Sequence, residues 1–297
     1  MKVRIGIGLG ATTVEPEALA AVVEPLVNHE FDSIWLSEVL TGAGADPLIT
    51  LTWLAARYPT LKLGTTMLLP GRNPLRLAKE LASLDRLSAG RLLLTFVPGL
   101  TQQPENGAIG LTTKERTAAI EEVLPLLRRL WAGETVSHFG QGVDLQEVRL
   151  QPLPAQDPLE AWLGGVAPAS LRRCGRLADG WLPSLCTPEE ALAGKAVIDE
   201  AAAAAGRSID PEHFGMSIGY RRRPPGDEAR AAFARRAGAR GKRIEDLQPV
   251  GLAALREVLK SYIAVGFSKF VVRPLDPPAD WASELGQLAD AVGDLQS

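Results

Sequence analysis

The chain has 297 residues, 46% hydrophobic and 23% charged, a mixture that excludes a disordered or fibrous protein and is long enough to bury a substantial core. With 32 lysines and arginines against 35 aspartates and glutamates the net charge is −3, so there is no global positive field to hold a polyanion, and nucleic acid is not expected as a partner. No apolar run reaches membrane-spanning length, and residues 1–9 lack the apolar core and cleavage site of a leader, so neither a membrane nor secretion is expected and the protein reads as cytoplasmic. Cys174 and Cys186 with the scattered His29, His138 and His213 give neither a disulfide framework nor metal-ligand spacing.

Hydrophobic periodicity switches repeatedly between a short β-branched run and a longer helical one, the alternation of βα units in a parallel sheet. Residues 3–9 read as the first strand and 15–29 as its helix, with Thr13 as N-cap. A strand over 33–37 precedes a helix over 47–57; a strand over 61–69 precedes a helix over 74–87, where Pro74 fits the first turn. The fourth strand, 91–97, leads into a polar loop over 99–111 and a helix over 114–131 with Ile120, Val123, Leu127 and Leu130 at helical spacing. Residues 134–154, with Gly140 and Gly142, read as an inserted hairpin or irregular excursion. The remaining strands are expected over 159–163, 180–183, 214–220 and 269–273, with helices from Pro168, Pro188, Leu252 and Asp280. Eight such units without a disordered linker favour an α/β fold, a single (β/α)8 TIM barrel with insertions over residues 1–297, rather than a doubly wound sheet.

In such a barrel function sits at the carboxyl ends of the strands. Gly6, Gly8 and Gly10 do not complete a dinucleotide fingerprint and read as backbone room. Ser37, Glu38 and Val39 follow the second strand, where Glu38 is a general base, a hydrogen-bond acceptor or a loop group. Gly164, Gly165, Val166 and Ala167 lie between the fifth strand and a helix; they form either a phosphate cradle or an ordinary tight turn. The fourth strand ends in Val97, Pro98, Gly99 and Leu100, with no ionisable group. Nucleophile elbow, Walker loop and zinc-protease helix are all absent, which points to a cofactor as carrier of the chemistry.

An extended set of motifs completes the reading. Leu63 to Leu69 is followed by Pro70, Arg72, Asn73 and Pro74, then by Ala78, Lys79, Glu80, Ala82, Ser83, Leu84, Asp85, Leu87, Ser88, Gly90 and Arg91, the pattern AKE-ASLD-LS-GR. Downstream lie Arg116, Leu127, Leu130, Trp131 and Gly133, then Trp162 to Gly165 with Arg172, Gly175, Arg176, Ala178, Asp179, Gly180 and Trp181. These residues resemble the bacterial luciferase-like monooxygenase superfamily and, within it, the branch of deazaflavin (coenzyme F420)-dependent oxidoreductases; the match covers most of residues 1–185, and the last third follows in layout. By periodicity Leu84, Leu87 and Leu177 belong to the core, and Asp85 and Arg91 read as a structural pair.

The resemblance implies a cofactor site made of Glu38, Val39, Thr66, Met67, Pro98, Gly99, Leu100, Gly164, Gly165, Val166, Ala167 and Ser184. It also implies a strand-three bulge, often with a non-proline cis peptide, at Thr66 and Met67. The sequence departs from the sugar-phosphate dehydrogenases of the branch, whose His and Glu are replaced by Val39 and Leu100, so a small, fairly apolar organic substrate is expected. Hydride transfer between F420 and that substrate follows, with Glu38 as candidate catalytic proton donor and a homodimer as the assembly. An FMN-dependent monooxygenase and a non-catalytic F420- or flavin-binding protein are the alternatives. In the basic segment 221–243, Arg222 or Arg223 is the candidate reader of the polyglutamate tail that F420 carries.

Overall fold

The computed structural model describes residues 1–10, 15–140, 143–237 and 241–297; Thr13, Gly142 and Arg240 lie outside them. The elements run β1 (Arg4–Leu9), α1 (Pro16–Asn28), β2 (Ser33–Ser37), α2 (Pro47–Arg57), β3 (Lys62–Leu68), α3 (Pro74–Leu87), β4 (Leu92–Val97), α4 (Glu105–Ile109) and α5 (Thr113–Trp131). They continue as β5 (Thr135–Gly140), β6 (Val143–Arg149), β7 (Ala161–Leu163), α6 (Pro168–Leu177), β8 (Gly180–Trp181), α7 (Pro188–Ala204) and β9 (Gly215–Tyr220). The last elements are α8 (Asp227–Ala237), α9 (Ile244–Leu247), α10 (Leu252–Ala264), β10 (Lys269–Pro274) and α11 (Trp281–Val292). Eight parallel strands form one sheet in the order β8-β7-β4-β3-β2-β1-β10-β9. Parallel bridges Trp181–Phe214 and Ser184–Ser217 join β8 to β9 and close it into the expected (β/α)8 barrel. The insertion is an antiparallel hairpin of β5 and β6.

The helix starts follow local chemistry. Proline opens α1, α2, α3, α6 and α7, where its missing N–H costs nothing. Asp46, Asn73 and Asp280 cap α2, α3 and α11, and Thr112 and Thr187 build capping boxes at α5 and α7.

The lumen is filled by indoles set against glycines. A β-carbon on Gly64 would stand 2.2 Å from the Trp35 ring, and one on Gly180 would stand 2.3 Å from Trp162. Gly6 of β1 likewise faces Trp35, while Gly8 leaves room for the side chains of Arg273 and Val271.

The recurring motifs of the sequence are mostly scaffold. Asp85, fully buried, accepts the amides of Ala155 and Gln156, both at 2.8 Å, and the Gln156 side chain at 2.6 Å. Arg91 instead donates to the carbonyls of Ala55, Tyr58, Leu61 and Ser88, so the expected Asp85–Arg91 pair is replaced by two separate anchors. Asp179 accepts Arg128 at 2.7 Å and the Ala161 amide at 2.9 Å, and Gly175 lets α6 press on α7, since a β-carbon there would meet the Ile198 carbonyl at 2.3 Å. Leu84 is buried and Leu177 packs against the core, but Leu87, in the last turn of α3, is 68% exposed and is not core.

Candidate active site at the barrel mouth

At the carboxyl ends of the strands lies a cavity of about 520 Å³. Of the residues expected there, Glu38, Val39, Thr66, Pro98, Gly99, Leu100, Gly164, Gly165 and Ser184 line it. Met67 does not: neighbours on a strand point to opposite faces, and with Thr66 and Leu68 facing the cavity Met67 is fully buried on the outer side of the sheet. Val166 packs against the core and Ala167 is the exposed cap position of α6; neither lines the cavity.

The bulge and cis bond expected at Thr66 and Met67 are absent. β3 runs in unbroken register against β2 and β4, and the cis peptides among the described residues all precede proline, at Pro104, Pro152 and Pro158. On the β4 side pairing runs past Met67 to Leu68–Val97, and on the β2 side, where the ladder ends at Ser37–Thr66, the Glu38 amide donates to the Thr66 carbonyl at 2.8 Å and its Oε2 accepts the Leu68 amide at 2.8 Å. Its Oε1 accepts Arg72 at 2.5 Å, and the carboxylate is nearly buried. Both oxygens are therefore engaged as acceptors. In that geometry Glu38 holds the ends of β2 and β3 together.

The loop over 99–111 carries α4, which the polar composition concealed. Glu105, 4% exposed, accepts the amides of Leu40 and Thr41 at 2.9 and 3.0 Å and the Thr41 hydroxyl at 2.9 Å. Burial works to raise its carboxyl, but those hydrogen bonds and nearby Arg116 outweigh it and leave it below the usual range. Arg116 is itself buried and donates to the carbonyls of Leu100, Leu111 and Asn106, each at 2.9 Å. Gly99, at φ +91°, faces Leu68 and Ile109 where a β-carbon would collide.

The phosphate reading of Gly164 and Gly165 is altered in detail. The Gly164 amide donates to the Phe96 carbonyl at 3.1 Å and so belongs to the barrel ladder. Gly165 adopts φ +99°, a conformation that favours glycine, and its carbonyl accepts the Trp181 indole at 2.9 Å. No side chain caps α6, which leaves the first-turn amides of Ala169 and Ser170 as donors facing the loop end.

Arg222 and Arg223 do not serve the mouth. Arg222 turns to Glu284 at 2.9 Å and to Gln287 on α11, beside the Tyr220 hydroxyl on the same carboxylate, while Arg223 is exposed and off the cavity. Arg230, Lys242 and Arg243 pair with Glu245, Glu190 and Asp246, so the basic segment has more acidic neighbours than its local sequence offers. Arg221 does line the cavity, together with Ser217, Phe233, Gln248 and Arg273, residues that motif reading passed over. Arg273 carried a usable signal: a cation at an alternate, inward position near the carboxyl end of a barrel strand.

A second cavity of about 280 Å³ opens at the opposite end, where Arg4 and Lys62 pair with Asp32 and Lys269 with Glu212. Trp35, Leu182 and Val271 line both cavities and form the partition between them. The charges at that end satisfy one another, so the mouth is the candidate site. Among the described residues no cluster of metal-binding side chains occurs, and burial pushes the Cys174 thiol far up, away from nucleophilic use. No helix of the described residues is long and apolar enough to cross a membrane.

The sequence profile of luciferase-like monooxygenases matches residues 2–290. The chain belongs to that family. This luciferase-like chain is 31% identical over 204 residues to an F420-dependent glucose-6-phosphate dehydrogenase of Nakamurella multipartita, covering 62% of this chain and 59% of that protein. It is 28% identical over 188 residues to an F420-dependent hydroxymycolic acid dehydrogenase of Mycobacterium tuberculosis, covering 60% and 52%. It thus spans little more than half the length of these curated relatives. The coenzyme F420-dependent tetrahydromethanopterin reductase of Methanopyrus kandleri shares the fold, with a TM-score of 0.80 at 18% identity and all of both chains covered.

Proposed function

We propose that this luciferase-like protein is an oxidoreductase that moves a hydride between coenzyme F420 and a small organic substrate, acting as a cytoplasmic homodimer. The observation that carries the reading is the mouth itself. It combines a glycine turn at positive φ before an uncapped helix with a lining whose carboxylate, Glu38, is already bound on both oxygens. A site without a free acid–base pair suits chemistry that a cofactor brings with it.

The residues fit that cofactor. Gly165 and the first turn of α6 would receive its phosphate, with Ser184 beside them, and Thr66, Leu68 and Val97 would back the ring. When bound, reduced F420 supplies the hydride. The chain's own part is positioning: Val39, Leu100, Leu185 and Phe233 present apolar surface that excludes water and holds the substrate body. Val39, Leu40 and Ile49, exposed on and before α2, offer a second copy an apolar contact.

Equilibrium titration of the purified chain with F420 and with FMN, followed by a turnover screen, tests the proposal. Binding of F420 at least about tenfold tighter than FMN is expected, since every tenfold is only about 1.4 kcal/mol of selective contact. Tighter FMN would favour the monooxygenase reading, and F420 binding without turnover on any substrate the non-catalytic one. Gly165→Val, which forces a β-branched residue to φ +99°, is expected to weaken F420 while the circular dichroism spectrum stays unchanged.

A further inference from the structure

On the reading that the mouth is the reaction cavity, we infer that Trp35 is its specificity-determining floor. The indole sets how far an apolar chain can descend, and the site therefore takes short, uncharged molecules that enter with an apolar end leading. The charged groups of the lining are already engaged, Glu38 with Arg72, Arg221 with Asp276 and Arg273 with a partner of its own. Depth and apolar contact, rather than a free charge, are what the cavity offers a substrate.

Three side chains, Trp35 of β2, Leu182 just past β8 and Val271 of β10, line both the mouth and the cavity beneath it. Trp35 is the largest of them. In register it lies between Gly8 of β1 and Gly64 of β3, so neither neighbouring strand carries a side chain at its level. The ring leans over the β3 backbone, where a β-carbon on Gly64 would stand 2.2 Å away, and on the other side reaches Gly6, where one would stand 2.9 Å away. Its Nε1 donates to the Ser33 hydroxyl at 2.9 Å, and that serine is itself buried. A ring seated against two backbones and tied by its one polar atom has a single place to be, so it closes the lumen as a fixed plate.

Beneath the plate the lumen continues. Gly64 pairs with Leu93 and Thr95 with Trp162, so Leu93 and Trp162 stand on the same inward face and, with Leu182 and Val271, give the lower cavity apolar walls. Its charges pair with one another near the strand starts, Asp32 with Arg4 and Lys62, and Glu212 with Lys269. The space below suits a hydrocarbon chain, and the indole keeps such a chain out of it. The residues proposed to back the cofactor ring stand above the plate, since Thr66 pairs with Ser37, two residues on from Trp35 toward the mouth. Bound cofactor would narrow the mouth from above and leave the floor in place.

The test uses the full chain, free and loaded with F420, titrated calorimetrically with the straight-chain alkanols from butanol to decanol. Wild type is expected to gain about fourfold in affinity with each added methylene up to a break length, and nothing beyond it. Trp35→Ala should carry the same gain at least about two methylenes further, and Leu182→Ala, a smaller removal from the same partition, about one further. A role in packing alone would weaken every alkanol alike and leave the break where it is, and that result overturns the inference. So does a wild-type gain that runs to decanol without a break, or no binding of any alkanol. If circular dichroism shows that Trp35→Ala does not fold, Leu182→Ala and Trp35→Leu decide in its place. A longer break length that persists with F420 bound assigns the floor to the substrate; one that vanishes on loading gives the floor to the cofactor and overturns the assignment. Failure of wild type to bind F420 would sink the cofactor reading alone, and the free-chain series would still decide the floor.

Discussion

Along β2, β3 and β4 the charged groups around the mouth bond to neighbouring backbone and side chains of the same wall, whereas at the ends of β9 and β10 two arginines, Arg221 and Arg273, line the cavity while Arg222 turns away to α11. On the first wall Glu38 is spent on Arg72 and the Leu68 amide, Glu105 on the amides of Leu40 and Thr41, and Arg116 on three carbonyls. Beside Glu38, this wall faces the cavity with the apolar Val39, Leu68, Val97 and Leu100 and the small polar Ser37 and Thr66. On the second wall Arg221, Arg273 and Gln248 face in, and the helices covering it pack on Phe233, Ile244, Leu247 and Leu185, a cluster separate from the main core. Buried, fully bonded polar groups give the first wall a fixed shape. The second wall has the shallower support, so adjustment to what binds is expected to reside there.

The largest way to break this contrast is Arg116→Ala. It orphans three carbonyls beneath the loop over 99–111 and should cost about 3–5 kcal/mol in urea unfolding, as losses in buried networks do. A loss below about 1 kcal/mol would mean that the first wall is not held from below. Glu105→Gln should cost about 1–3 kcal/mol, because a charged acceptor of several hydrogen bonds becomes neutral. Its carboxyl lies lower folded than in a free chain, so its stabilisation is full above the ordinary value near about 4.3 and is lost as pH falls through the folded value. Wild type should therefore lose more stability than Glu105→Gln between neutral pH and about pH 3.5; parallel losses would contradict the assignment. Phe233→Ala should cost only about 1–2 kcal/mol, less than the roughly 3–5 of a phenylalanine in a large core, while visibly weakening ligand binding. Smallest is the kinetic effect of Glu38→Gln on proton transfer: binding weakens, but both limbs of the pH–rate profile persist. Disappearance of a limb would return Glu38 to the role of donor.

How much of this was legible in sequence depended on the range of the forces involved. The eight strands and their helices were readable because alternation, proline at the first helical turn and Asp, Asn or Thr caps are local signals. β7 came out as Ala161–Leu163, since its pairing with β4 begins only at Ala161, and β8 as Gly180–Trp181, since beyond Trp181 the ladder reduces to a single bridge at Ser184. α4 was hidden because its anchors are remote in sequence, Glu105 reaching out to Leu40 and Thr41 and Arg116 of α5 reaching in to Asn106, and no apolar periodicity marks its five residues. The same holds for Glu38, whose partners lie 30 and 34 residues away. Met67 is a different case: it could face the lumen beside Thr66 only through the expected bulge, and in the regular strand parity turns it outward.

The Trp35 ring, wedged against Gly6 and Gly64 and held by its Nε1 hydrogen bond to Ser33 at 2.9 Å, is the floor of the mouth and the ceiling of the cavity below. An indole in that place is also a chromophore in a defined seat. Its emission would respond to whatever settles on the floor, by energy transfer to an absorbing ring or by a change in local polarity. Occupancy of the mouth is thus written into the protein's own fluorescence, and Trp35→Phe is the variant that would erase that optical signal while keeping an aromatic plug in the barrel.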